Sequence, residues 1–192
     1  MSTNRKAFFD GIRPDLFSGT LTQDQVNGID AILDEWEVRK LTDLRWLAYM
    51  LATTYHETNM TMQPVREAYW LSEEWRRRNL RYYPWYGRGY VQLTWEDNYK
   101  KMGRLLGVNL LANLDLAMDP RIAAAIMFEG MMKADSTVGD FTGKCLEMYF
   151  NDTVDDPIGA RRIINGTDKA DLIAGYHRGF LSDLRYAQRA PS

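Results

Sequence analysis

The stretch TDLRWLAYMLATTYHE, residues 42–57, decides the fold. Apolar side chains occupy most of its positions from Leu44 to Tyr55, so the segment has no continuous polar face. A helix that is apolar nearly all round is typical of the interior of a domain. Thr42 is the predicted N-terminal cap, and the apolar pattern runs out at His56 and Glu57. We therefore predict a helix through the middle of the domain, with a carboxylate at its C-terminal end.

Further helices are predicted on both sides of this segment. Thr22 and Gln25 have the spacing of a capping box, and they precede a stretch with apolar residues on one helical face. After residue 93 the helix-start signals recur, and the first of these helices is predicted to end at Gly107. The predicted starts are Thr94, Asp119, Thr142, Asp156 and Asp168.

Residues 58–94 interrupt the helical pattern. They include Pro64, Pro84, Gly87 and Gly89, with a short charged helical segment predicted around residues 71–80. The stretch that follows, residues 82–93, is dense in aromatic residues and arginine and reads as irregular or hairpin-like. We expect one mainly α domain over residues 1–192, with residues 58–94 forming a small lobe.

Composition limits the possible functions. The net charge of −2 gives no overall reason to expect nucleic acid or an anionic membrane as a partner. Cys145 is the single cysteine, which excludes an intramolecular disulfide. Its thiol could pack in the core or act as a nucleophile, and the core position is favoured. The N-terminal stretch lacks the apolar segment and cleavage site of a signal peptide, so we expect synthesis in the cytoplasm. No segment has the roughly 18 to 20 apolar residues that span a bilayer, so no stable membrane insertion is expected.

Glu57 is the first candidate for chemistry. The negative end of the helix dipole and the apolar surroundings would both favour its protonated form. A protonated carboxylic acid is what the cleavage of a glycosidic bond requires, because the leaving oxygen must receive a proton. The alternative is an ordinary surface glutamate at a frayed helix end.

A metal site is not expected. The pair His56 and Glu57 begins a zinc-protease motif, but that motif needs a second histidine four positions after the first, and Met60 stands there. The only other histidine is His177, too few for a histidine-based site. No cofactor is predicted.

Glycosidases generally use two carboxylates, and Glu67 is the nearest candidate for the second. Arg66 beside it would help to keep it ionised, as a general base requires; a surface ion pair is the alternative. In an inverting enzyme the carboxyl groups of Glu57 and Glu67 would lie roughly 6.5–9.5 Å apart.

Aromatic and neutral polar residues follow in residues 82–99. The aromatic rings would suit the flat faces of sugars, single-stranded nucleic acid or simple core packing. Gln92 and Thr94 share a face if the chain is extended, and Asn98 lies one helical turn beyond Thr94. Neutral hydrogen-bonding groups near candidate acids favour a carbohydrate over a phosphate ligand.

Three segments resemble glycoside hydrolase family 19, the chitinase-like family. YGRGYVQLT at residues 86–94, followed by Asn98 and Tyr99, is similar to the signature of that family. The sequence HET at residues 56–58 resembles the surroundings of its catalytic acid, and RIING at residues 162–166 resembles its C-terminal segment. The segment MQPVRE at residues 62–67 and the overall length are similar to the phage and prophage endolysin branch.

The resemblance implies a fold and a set of roles. The fold would be that of the lysozyme superfamily, with two lobes around a central substrate cleft. Glu57 would be the general acid, Glu67 the general base of an inverting mechanism, and Thr94 would help to hold the attacking water. Substrate-binding positions would be Tyr86, Arg88, Gln92, Asn98 and Asn165.

The resulting expectation is an endolysin that hydrolyses the β-1,4 bond between N-acetylmuramic acid and N-acetylglucosamine in peptidoglycan. It would be a monomer that binds glycan strands and no nucleic acid, and it would reach the periplasmic cell wall through a holin-type lesion. The alternatives are a chitinase, a secreted antibacterial effector with the same chemistry, and a non-catalytic module that binds nucleic acid or glycan through the arginine and aromatic tract. The missing chitinase loops argue against crystalline chitin.

Overall fold

The computed structural model describes residues 4–132 and 141–190. Most of these residues are helical, and the strand content is one antiparallel pair. The elements in chain order are α1 (Arg5–Leu16), α2 (Gln23–Val38), α3 (Leu44–Glu57), β1 (Val65–Arg66), α4 (Glu73–Asn79), β2 (Arg88–Gly89), α5 (Glu96–Leu106), α6 (Pro120–Met132) and α7 (Ala170–Arg189). Short 3-10 helices lie at Leu114–Met118, Leu146–Met148 and Gly159–Ile163.

Helix α3 forms the centre of the domain, as its composition predicts. Its residues from Leu47 to Tyr55 are all buried, and its most extensive packing is against α7. Helix α1 also packs on α7, and α2 packs on α6. Because α3 is enclosed along its length, its last residue, Glu57, is held at a fixed place in the domain. Within the described residues no helix is both long and apolar enough to cross a membrane.

Several predicted helix boundaries are confirmed. Thr22 and Gln25 form the capping box of α2, in which each side chain accepts from the backbone of the other. Gly107, with a φ of 65°, ends α5 in the left-handed conformation that favours glycine. Helix α6 begins at the predicted Asp119-Pro120, and α4 falls within the predicted charged segment.

Other local predictions were wrong. Asp43, not Thr42, caps α3, because its carboxylate accepts from the amide of Arg45. No helix begins at Thr142, whose hydroxyl instead donates to the carbonyl groups of Arg162 and Ile163. The helix expected after Asp156 is a single 3-10 segment. Helix α1 was not predicted at all, and Pro14 lies inside it.

The small lobe has few regular elements. Its strands β1 and β2 pair Val65 with Gly89 and Arg66 with Arg88. In place of a longer ladder of hydrogen bonds between strands, side chains donate to backbone carbonyl groups. Arg76 donates to the carbonyl groups of residues 67, 68 and 71, and the Gln92 amide donates to those of Val65 and Gly89. These contacts fix the loops on which the predicted site residues lie.

Candidate active site

A cleft of about 380 Å³ brings together Glu57 and four other predicted site residues. Those four are Gln92, Thr94, Asn98 and Asn165. The remaining lining residues are Tyr82, Val91, Leu93, Trp95, Phe141, Thr142 and Ile164. The cleft therefore joins the end of α3, the small lobe, the start of α5 and the segment before α7.

Glu57 is the last residue of α3, and its side chain is 17% exposed. Its Oε1 atom accepts from Nη1 of Arg161 at 2.7 Å. Arg161 is fully buried, and its Nε donates to the carbonyl of Asp168 at 2.8 Å, so the guanidinium is held from both sides. Arg161 contacts Oε1, which leaves Oε2 as the oxygen available to a ligand.

Glu67 lies just after β1 and is enclosed by hydrogen bonds. Its Oε1 accepts from the hydroxyl of Tyr82 at 2.5 Å, and its Oε2 accepts from the amide of Gly87 at 3.0 Å. Its own amide donates to the carbonyl of Gly87 at 2.7 Å. Glu67 does not line the cleft, but Tyr82 does.

The expected help from Arg66 to Glu67 is wrong. Arg66 pairs with Asp115 at 2.8 Å instead. Arg66 and Glu67 are adjacent at the end of β1, and successive side chains of a strand point to opposite faces. Tyr82 and the Gly87 amide take the place of Arg66 beside the carboxylate.

Thr94 and Asn98 have hydrogen-bonding directions that the structure fixes. The Thr94 hydroxyl must donate to the Gln92 carbonyl, 2.7 Å away, because a carbonyl can only accept. Its lone pairs therefore remain to accept from a water or a sugar hydroxyl. The Asn98 amide nitrogen donates to the Thr94 carbonyl at 2.8 Å, which sets Oδ1 as its free acceptor.

The structure places two predicted binding residues, Tyr86 and Arg88, away from the cleft. Tyr86 is 1% exposed, and its hydroxyl donates to Glu73 at 2.9 Å. The Arg88 guanidinium lies 3.7 Å from the centre of the Tyr86 ring and bonds to Asp115 and to the hydroxyl of Tyr99. Neither residue lines the cleft, and their polar atoms are used inside the small lobe, so their contact with substrate stays a prediction.

Three residues of the site were not singled out from the sequence: Arg161, Tyr82 and Trp95. Arg161 and Arg162 are adjacent and chemically equivalent, and only the 3-10 turn decides which one is buried. Trp95 is 47% exposed, with its ring 4.9 Å from that of Tyr82. Its φ of 75° is rare for a residue with a side chain, and a neighbour in the cleft wall, Gln92, has a φ of 55°. A cluster of aromatics beside a polar cleft was the available signal for Tyr82 and Trp95.

A mainly helical domain with a half-buried carboxylate that opens into a polar cleft is the arrangement expected of a lysozyme-like glycoside hydrolase. Residues 42–138 match the model of the family described as chitinase class I, glycoside hydrolase family 19. The match covers just over half of the chain, and the chain belongs to this family.

Two solved structures share the fold. Chitinase C from Streptomyces griseus HUT6037 aligns with a TM-score of 0.50 and 21% identity over 94% of this chain and 69% of that one. A mutant of chitinase C aligns with a TM-score of 0.50 and 22% identity over 97% of this chain and 86% of that one.

Similarity to curated relatives is confined to a short segment. Endochitinase 1 of Theobroma cacao is 55% identical over 40 residues, which are 20% of this chain and 12% of that protein. Endochitinase A2 of Pisum sativum is 52% identical over 40 residues, with the same shares of both chains. Inactive chitinase-like protein 1 of Hevea brasiliensis is 47% identical over 47 residues, 23% of this chain and 15% of that protein. The matched segment thus spans about an eighth of the length of the first two relatives, and one relative is named as inactive.

Proposed function

We propose that this protein hydrolyses the β-1,4 bond between N-acetylmuramic acid and N-acetylglucosamine in peptidoglycan. The observation that carries the proposal is the convergence of Glu57 with the neutral hydrogen-bonding side chains of Gln92, Thr94, Asn98 and Asn165 in one cleft. Such groups match the hydroxyl and acetamido groups of a glycan.

Each of the two glutamates has a role in this proposal. Glu57 donates a proton to the glycosidic oxygen, and its contact with Arg161 fixes the orientation of the side chain. Glu67 is the base of an inverting mechanism and takes up the proton that the attacking water loses. Thr94 accepts a hydrogen bond from that water, because its own proton is committed to the Gln92 carbonyl.

The cleft wall also supports an uncharged polymer as substrate. The exposed ring of Trp95 and the half-buried ring of Tyr82 offer flat apolar surfaces for sugar faces. Of the arginines near the cleft, Arg161 is paired with Glu57, Arg88 is buried in the small lobe, and Arg81 stacks on the ring of Trp95. The lining contains no arginine or lysine among the described residues, which disfavours phosphate or nucleic acid.

Chitin oligomers are the second candidate substrate. The family and the names of the matched plant relatives favour this class. Both candidates contain β-1,4-linked N-acetylated sugars, so the same glutamates would act on either.

Product analysis separates these candidates. The purified protein and its Glu57→Gln variant are incubated in parallel with peptidoglycan and with soluble chitin oligomers, and the products are identified by mass spectrometry. We expect new reducing ends on muramic acid, absent with the variant. Cleavage of chitin oligomers alone would replace the proposed substrate, and anhydro-muramic ends would replace hydrolysis with a lytic transglycosylase reaction.

We extend the proposal to a biological setting, that of an endolysin acting on the wall from within the producing bacterium. The support is the resemblance of residues 62–67 to the endolysin branch. Access to the periplasm would then depend on a lesion made by another protein. The test is lysis of cells that express this protein with and without a holin; equal lysis in both would contradict this setting.

A further inference from the structure

The carboxylate of Glu67 does not reach the cleft directly. Both of its oxygens accept hydrogen bonds, from Tyr82 at 2.5 Å and from the Gly87 amide at 3.0 Å. The backbone amide of Glu67 also donates to the carbonyl of Gly87. To turn into the cleft, the side chain would have to break both of its hydrogen bonds.

Tyr82 connects this carboxylate to the cleft. Its side chain lines the cleft, and its hydroxyl bonds to Oε1 of Glu67. Burial and the hydrogen bond to Glu67 raise the pKa of Tyr82 to about 12, so the hydroxyl keeps its proton near neutral pH. A protonated hydroxyl that donates to a carboxylate still has lone pairs with which to accept from a water.

We propose that Tyr82 is a catalytic residue that passes the proton of the attacking water to Glu67. This inference rests on the proposed function, and it adds Tyr82 as the group that connects the attacking water to Glu67. The geometry carries it, because Tyr82 stands between the cleft and a carboxylate that is hydrogen-bonded on both oxygens.

The step conserves atoms and charge. The O–H bond of the water breaks as its proton joins Oη of Tyr82, and the original Tyr82 proton moves to Oε1 of Glu67. The water oxygen bonds to the anomeric carbon while the glycosidic bond breaks, and the leaving oxygen takes the proton of Glu57. Tyr82 ends neutral, Glu67 ends protonated and Glu57 ends ionised.

The test compares Tyr82→Phe with Tyr83→Phe on a soluble glycan that the unmodified protein cleaves. Tyr83 is the matched control, because it is the adjacent tyrosine and does not line the cleft. Loss of a proton-transfer group is expected to lower kcat by about tenfold to hundredfold with little change in KM. The control is expected to keep the kcat of the unmodified protein.

Two further readouts distinguish a relay from a structural contact. The double variant Tyr82→Phe, Glu67→Gln should lose no more activity than Glu67→Gln alone, because both groups act on one proton. Equal melting temperatures for the two tyrosine variants would show that folding is not the cause.

Two results would refute the relay. If Glu67 must leave Tyr82 to act on water, Tyr82→Phe will keep or raise kcat, and the relay is refuted while the proposed function stands. Multiplicative losses in the double variant would also refute it. Failure of the unmodified protein to cleave either peptidoglycan fragments or chitin oligomers would refute the proposed function itself, and the relay with it.

Discussion

The helical lobe and the small lobe beside the cleft are held together by different interactions. In the helical lobe, α3 packs on α7 through apolar side chains with no exposed surface, such as Leu51 and Phe180. In the small lobe, the buried side chains include the guanidinium groups of Arg76 and Arg88, which bond to backbone carbonyls. The first lobe gains its stability from apolar burial, and the second depends on satisfying polar groups in fixed directions.

The difference matters for the site. Glu57 is placed by the helical lobe, because it ends a buried helix. Tyr82 and the residues around Gln92 are placed by the small lobe, through side-chain hydrogen bonds. We therefore expect a change in the helical lobe to affect the whole fold and a change in the small lobe to affect mainly the cleft.

The largest effect is expected in the helical lobe. Phe180→Ala leaves a cavity between α7 and its neighbours, because the ring is completely buried. Such truncations cost about 3–5 kcal/mol of unfolding free energy. Chemical denaturation measures this, with Val38→Ala as the control at a position that is 75% exposed. If Phe180→Ala loses less unfolding free energy than Val38→Ala, apolar burial is not the main source of stability in the helical lobe.

In the small lobe, Arg88→Ala removes a guanidinium bonded to the carbonyl groups of Pro84 and Tyr86 and to Asp115. We expect a loss of about 3 kcal/mol, because the Pro84 carbonyl loses this donor and the Tyr86 ring loses the guanidinium packed on it. Arg77→Ala is the matched control, since that arginine lies on the surface of α4 and pairs with Glu74.

Hydrogen exchange shows where the Arg88→Ala loss occurs. The amides of residues 65–95 should exchange faster while those of α3 and α7 stay protected. Uniformly faster exchange in both lobes would show that the two are one cooperative unit, and the comparison between them would then fail.

The smallest effect concerns two titratable groups on α7. Burial lowers the pKa of His177 to about 4, and burial together with the nearby Asp15 raises the pKa of Asp183 to about 6. The neutral His177 contributes stability above its ordinary pKa, which is lost as the pH falls from about 6.5 toward 4. The protonated Asp183 contributes stability at low pH, which is lost as the pH rises through 6.

The two groups oppose each other between about pH 4 and pH 6. In that range the contributions largely cancel in the unmodified protein. Asp183→Asn removes one of them, so its unfolding free energy should rise with pH across the range, and it should be about 1–2 kcal/mol more stable than the unmodified protein at pH 7. Urea unfolding at several pH values checks this, with Asp171→Asn on the exposed start of α7 as the control. An unchanged pH slope would contradict the role of Asp183.

The sequence predicted the helical lobe better than the small one, for a physical reason. Apolar periodicity and the capping pair Thr22 and Gln25 depend on residues close together in the chain. The positions of Arg88 and Tyr86 depend instead on contacts with distant residues such as Asp115 and Glu73. Residue type alone cannot tell a buried arginine from one that faces a substrate.

The same distinction applies to the site. Glu57 and the polar side chains of Gln92, Thr94 and Asn98 could be predicted, because motif and spacing place them together. The partner of Glu57 could not, since Arg161 is 104 residues away in the chain. Tyr82 likewise becomes a candidate only when the structure shows that it both lines the cleft and donates to Glu67.

The most direct test of the account is the activity of Glu57→Gln against outer-membrane-permeabilised Gram-negative cells. The central claim is that the cleft at the end of α3 is the active site, with Glu57 as its acid. Glutamine keeps the size of the side chain but cannot donate the catalytic proton, so we expect lysis to be abolished while the circular dichroism spectrum is unchanged. Full lytic activity in a folded Glu57→Gln protein would contradict the account.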